Sequence, residues 1–243
     1  MKAWPVPLLA LVACVPQAEA PARADHGRGE LAARPVEAAR GAAEPGLHES
    51  AGGAILYVPD GTDPARPAPL VVMLHGAGGA ARHSIDLVRP HADRAGAIVF
   101  APKSRRQSWD IISDRRYGPD VSTLDTALRE LFARHAVDPA RVAVAGFSDG
   151  ASYALSLGLA NGDLFRHVLA FSPGFTAHAR QQGRPAIFIS HGIDDRVLPV
   201  DVCSRRIVPQ LERAGYAVTY REFPGGHIVP PELAREAFNA LSA

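Results

Sequence analysis

The chain carries a serine whose neighbours suit it to nucleophilic chemistry, in Gly146-Phe147-Ser148-Asp149-Gly150. A serine hydroxyl is a weak nucleophile at neutral pH and needs a base to take its proton. Glycines two before and two after it fit a tight turn that presents the hydroxyl between a strand and a helix. The flanks agree: Val142-Ala143-Val144-Ala145 reads as an apolar strand and 151–160 as a helix. In such a site the acid and the base follow the nucleophile in the order Ser, Asp, His. Of the ten histidines, His227 has the right place, in the loop Phe223-Pro224-Gly225-Gly226-His227 between a strand over 216–222 and the last helix. The others lie in the N-terminal segment (His26, His48) or on helices and their ends (His83, His91, His135, His167, His178), apart from His75 and His191 at strand ends. The acid belongs after Ile187-Phe188-Ile189-Ser190-His191-Gly192. There the pattern H-G-x-x-D, followed by apolar residues and proline, selects Asp195 over the turn residue Asp194. An acid so placed orients the imidazole and stabilises the imidazolium.

Negative charge that develops on a carbonyl oxygen needs backbone donors aimed at it. One is expected from the amide of Asp149, at the start of the helix. The other is expected from the glycine-rich His75-Gly76-Ala77-Gly78-Gly79, with Ala77 first and Gly78 as runner-up. This segment lacks the Gly-Lys-Ser/Thr ending of a phosphate loop. His191 with Asp194 and Asp195 shares one turn and has no further His/Cys spacing to support a metal. No metal and no cofactor are expected.

The elements that must position these residues are legible as short apolar strands alternating with amphipathic helices. Strands are expected at 54–58, 70–74, 97–100, 142–145, 168–171, 186–189 and 216–222. Helices are expected at 85–95, 122–134, 151–160, 204–214 and 231–241. Continuous apolar runs such as Leu70-Val71-Val72-Met73-Leu74 suit strands covered on both faces. The fold class is therefore α/β, with a mostly parallel twisted sheet, helices on both faces and no large cap domain.

Together, HGAGG, GFSDG, HGIDDRVLP and FPGGH resemble the phospholipase/carboxylesterase branch of the α/β-hydrolases, with polyhydroxybutyrate-depolymerase-like and feruloyl-esterase-like relatives, from about Gly53 onward. The resemblance implies a Ser148–Asp195–His227 triad that hydrolyses carboxylic esters of short to medium acyl chain through an acyl-enzyme. A thioesterase or a prolyl-oligopeptidase-type peptidase would keep the same triad, and a non-catalytic envelope-binding lipoprotein is the reading of another class. Two features depart from the pattern. Asp149 stands where Gln, Asn or Met is more frequent, so its carboxylate is expected to point away from the substrate. The polar loop from Lys103 to Tyr117 is longer, and its Trp109 either lines a substrate pocket together with Gly78 or pins the loop to the domain.

Composition limits the partners. A formal net charge of +1 over 243 residues gives no field for nucleic acid or an anionic membrane surface. The expected partner is a small or polymeric ester. Residues 1–20 read as an export signal: Met1-Lys2, then an apolar run too short to span a bilayer. Leu11-Val12-Ala13-Cys14 resembles a lipobox, with cleavage before a lipidated Cys14, and the alternative cleavage site lies near Ala18-Glu19-Ala20. The chain is thus expected in a bacterial periplasm or envelope, attached to the membrane if Cys14 carries lipid. Residues 21–50, rich in Ala, Pro, Arg and Glu, are expected to form a disordered tether. Residues 51–243 are expected to be the catalytic domain. Of the two cysteines, Cys203 then has no partner for a disulfide and is expected to be a small buried residue.

Overall fold

The computed structural model of the protein describes residues 24–36, 44–50, 52–63, 66–177 and 180–241. Its centre is an eight-stranded sheet in the order β1-β2-β4-β3-β5-β6-β7-β8. The strands are β1 (Gly46–Glu49), β2 (Ile55–Val58), β3 (Ala68–Leu74), β4 (Ile98–Ala101), β5 (Val137–Phe147), β6 (His167–Phe171), β7 (Ala186–Gly192) and β8 (Val218–Phe223). β1 and β2 pair antiparallel, β2 joins β4 antiparallel, and every pairing from β4 through β3 to β8 is parallel. The helices are α1 (Ala81–Ala95), α2 (Asp110–Ser113), α3 (Pro119–Arg134), α4 (Asp149–Ala160), α5 (Ser204–Arg213) and α6 (Pro231–Asn239).

The pleat sends successive side chains to opposite faces, which is how one strand serves two cores. Leu70, Val72 and Leu74 of β3 pack with α3, α4 and α5, whereas Val71 and Met73 pack with α1 and α6. Because β3, β5, β7 and β8 run parallel, their carboxyl ends emerge on one edge of the sheet. Ser148, Asp195, His227, Trp109 and the glycine-rich loop with Ala77 and Gly78 all follow strands at that edge, the place where open α/β sheets bind ligands.

Residues 24–36 of the expected tether behave differently from their composition. Residues 24–36 lie against the domain, with Leu31 and Ala33 buried. The Leu31 amide donates to Asn161 Oδ1 at 2.7 Å, and the Ala32 and Ala33 amides both donate to Asp125 Oδ1 at 2.8 Å. Residues 46–49 form the edge strand β1. A segment poor in aliphatic residues is held here through its backbone donors, which composition does not count. The export signal and Cys14 lie outside the described residues.

Candidate active site

Two glycines are forced at the elbow by lack of space. A Cβ on Gly146 would come within 2.2 Å of the Gly150 carbonyl oxygen, and one on Gly150 within 2.2 Å of the Leu74 carbonyl oxygen. Between them Ser148 sits at φ 58° and ψ −122°, a strained backbone for a residue with a side chain. It is held there by its amide, which donates to the Phe171 carbonyl at 2.9 Å, and by its carbonyl, which accepts from Ala151 at 2.9 Å. The strain places the hydroxyl at the N-terminal end of α4.

Asp195 follows β7 and His227 follows β8, and backbone bonds tie the two loops together. The Ile193 amide donates to Phe223 at 3.0 Å and the Asp194 amide to Gly225 at 2.9 Å. His227 Nδ1 then lies 2.6 Å from Asp195 Oδ2. The other carboxylate oxygen accepts from the amides of Val197 (2.9 Å) and Leu198 (2.8 Å). Burial alone would raise the Asp195 pKa, but the Leu198 amide, the His227 ring and the Val197 amide outweigh it and hold the carboxyl below its usual range. An ionised Asp195 fixes the proton on His227 Nδ1 and leaves Nε2 able to accept one. Asp194 is exposed and contributes only its backbone to this arrangement.

The His227 ring packs against Phe147, next to the serine, with centroids 4.7 Å apart. Its Nε2 is buried and has no hydrogen-bond partner among the described residues. No bond to Ser148 Oγ is made in this state, which is common where substrate has yet to tighten a site. The triad candidates are thus gathered, with one bond formed and one open.

The loop after β3 comes up beside the serine: a Cβ on Gly76 would lie 3.2 Å from Ser148 Cβ. Among the described residues, the amides of Ala77 and Asp149 meet no acceptor. Asp149 follows the nucleophile directly and Ala77 follows Gly76, which abuts it, so both amides are candidate donors to an oxyanion. Gly78 is different. Its amide donates to Gln107 at 2.6 Å and its φ is +63°, so it has a turn to make and no donor left for a ligand. The Asp149 carboxylate accepts a short hydrogen bond from the Ser108 hydroxyl, on the loop after β4.

Trp109 is packed inside the protein. It is 1% exposed, stacks on Tyr153 (5.1 Å, 13°) and donates from Nε1 to the His75 carbonyl at 2.8 Å. The indole therefore fastens the 103–117 loop to the elbow helix and to the glycine-rich loop. Its placement as a substrate contact is replaced by that of a pin.

Sequence reasoning missed the work of two other histidines, each followed by glycine at a strand end. His75 Nδ1 bonds the Gly76 carbonyl at 2.8 Å and its Nε2 accepts from the Ser104 amide at 3.0 Å. Burial depresses its pKa and keeps it neutral, as that acceptor role requires. His191 is fully buried. Its Nδ1 meets Ser204 Oγ at 2.7 Å, and its Nε2 meets the Leu198 carbonyl at 2.7 Å and Asp195 Oδ2 at 3.3 Å. Burial lowers its pKa as well. Both nitrogens are engaged, so His191 braces the acid's loop and has none left for a metal. The repeated His-Gly was the signal available in the sequence. Cys203 is buried, which pushes its thiol pKa up.

Known proteins share this architecture. The family described as phospholipase/carboxylesterase matches residues 114–242. Feruloyl esterase C of Emericella nidulans is 30% identical over 155 residues, 60% of this chain and 56% of that protein. Acetylxylan esterase of Coprinopsis cinerea is 34% identical over 107 residues, 40% of this chain and 29% of that protein. This chain thus spans about half the length, or less, of these curated relatives. Among solved structures, a phospholipase/carboxylesterase from Dyadobacter fermentans superposes with a TM-score of 0.59 at 23% identity, over 80% of this chain and 98% of that one. A ferulic acid esterase from Anaeromyces mucronatus, in complex with ferulic acid, gives 0.60 at 18% identity, over 81% and 88%. At these identities the structural likeness shows the α/β-hydrolase fold.

Proposed function

Because the chain belongs to the phospholipase/carboxylesterase family, we propose that it is a serine carboxylic ester hydrolase working through an acyl-enzyme. The observation that carries this reading is the pair formed by buried Asp195 and half-buried His227, joined at 2.6 Å beside a serine held at φ 58°. Ser148 Oγ attacks the ester carbonyl while His227 Nε2 takes its proton. The carbonyl oxygen, now negative, is met by the amides of Ala77 and Asp149. His227 returns the proton to the departing alcohol, leaving Ser148 acylated. Water then enters and gives a proton to Nε2 as its oxygen attacks the acyl carbon; the bond from that carbon to Ser148 Oγ breaks as Nε2 passes the proton to Oγ, which frees the acid and restores the serine. Asp195 stays ionised throughout and balances the imidazolium.

The names of the relatives support ester hydrolysis in general, and esters of short to medium acyl chain are the proposed substrates. Thioesters and anilides are the competing bonds. The proposed setting is a bacterial envelope, with Cys14 as the lipidated residue, and intact-mass determination of the mature N-terminus tests it: cleavage after Ala20 without lipid contradicts the tether. For the reaction, the test is a panel of esters, thioesters and anilides given to the wild type and Ser148→Ala. Ester hydrolysis is expected to fall by about 10³-fold or more in the variant. Unchanged ester hydrolysis by Ser148→Ala, or cleavage of anilides alone by the wild type, would defeat the proposal.

A further inference from the structure

A cavity of ≈ 450 Å³ lies between α1 and the loop after β3. Leu74, Leu87, Phe147, Gly76 and Ala77 form much of its wall. Gly76 abuts the Ser148 side chain, so the cavity begins one residue from the proposed nucleophile. Its size falls in the range of small-molecule sites, and a cavity of about 150 Å³ with similar walls already accepts benzene.

The polar groups in the wall narrow what it takes. Both His75 nitrogens are already bonded within the protein. His83 and Asp86 are exposed and stay hydrated with no ligand present. Ser84 differs: it is 1% exposed, and its hydroxyl has no hydrogen-bond partner among the described residues. A buried hydroxyl left unpaired is unfavourable, and a ligand group that bonds it removes that cost. Phe147 indicates which half of the substrate arrives here. The same ring that lines the cavity packs on His227, whose Nε2 must protonate the departing oxygen.

Building on the ester-hydrolase reading, we propose that this cavity receives the alcohol half of the ester, an apolar ring-sized group bearing a hydroxyl that bonds Ser84 Oγ. Ser84 is then a specificity residue, and Leu87 shapes the space available to the ring.

The test compares kcat/KM for methyl acetate, 2-phenylethyl acetate and 2-(4-hydroxyphenyl)ethyl acetate in the wild type, Ser84→Ala and Leu87→Phe. A second arm places the rings on the acid, as methyl cinnamate and methyl 4-hydroxycinnamate. Each readout is a ratio of two substrates in one preparation, so partial unfolding cancels. Ser84→Ala is expected to lower the hydroxylated-to-plain ratio of the alcohol arm about 5–10-fold. Leu87→Phe is expected to lower the phenylethyl-to-methyl ratio about tenfold. Unchanged ratios, or changes confined to the acid arm, overturn the subsite while methyl acetate turnover leaves the ester-hydrolase reading standing. Failure of the wild type to hydrolyse any ester in the panel removes both.

Discussion

Replacing Asp195 by Asn tests the internal logic of the site, because the structure dictates how the amide must sit. Asp195 Oδ1 accepts from two backbone amides, Val197 at 2.9 Å and Leu198 at 2.8 Å. An asparagine satisfies them only by turning its oxygen toward them, which points its NH₂ at His227 Nδ1. The NH₂ then faces a ring nitrogen that held a proton in the wild type. His227 must shift that proton to Nε2, where it can no longer accept one from Ser148. The reverse orientation sets NH₂ against two N–H donors and breaks both bonds. Loss of the correct tautomer in an Asp-oriented triad lowers kcat by about 10⁴, equivalent to about 5 kcal/mol of barrier. The assay is steady-state kinetics on a short-chain ester, with thermal melting to confirm the fold. A kcat within tenfold of the wild type at an unchanged melting temperature would refute the role given to Asp195.

Trp109→Phe removes the bond to the His75 carbonyl and is expected to cost about 1–3 kcal/mol in chemical denaturation; a change in KM at unaltered stability would restore the indole to the substrate wall. Asp125 lies under the N-terminal segment. Burial would raise its pKa, but His26, the Ala33 amide and Arg129 outweigh it and bring the value below 3.8. Its contribution to stability is therefore present above pH 3.8 and lost as pH falls through the lowered folded value. Asp125→Asn is expected to lower the melting temperature by about 5 °C at pH 6, and the gap to the wild type should close in strong acid. A gap independent of pH would show that the carboxylate charge is not what fastens residues 24–36.

The ease of reading the sequence varied with the range of the forces involved. β3 and β5 were legible because buried parallel strands must be apolar without interruption, and the elbow because its two glycines are a local steric demand. The pairing of Asp195 with His227 was legible from their order along the chain and from the H-G-x-x-D pattern that separates Asp195 from Asp194. Residues 24–36 were not, since their anchors, Asp125 and Asn161, lie about a hundred residues away and leave no period in the segment itself. The short strand β1 had no apolar run to mark it. Trp109 could be read either way until its partners His75 and Tyr153 were seen around it. The bracing by His191 likewise depends on Ser204 and Leu198, which meet it only in the fold.

The central claim is that Ser148 carries the covalent intermediate. Incubation with a fluorophosphonate, followed by intact-mass and peptide mapping, tests it most directly. The account predicts a single phosphonyl group on Ser148, loss of ester hydrolysis in proportion to labelling, and no adduct in Ser148→Ala. An adduct on another residue, or full activity in a protein labelled at Ser148, would contradict it.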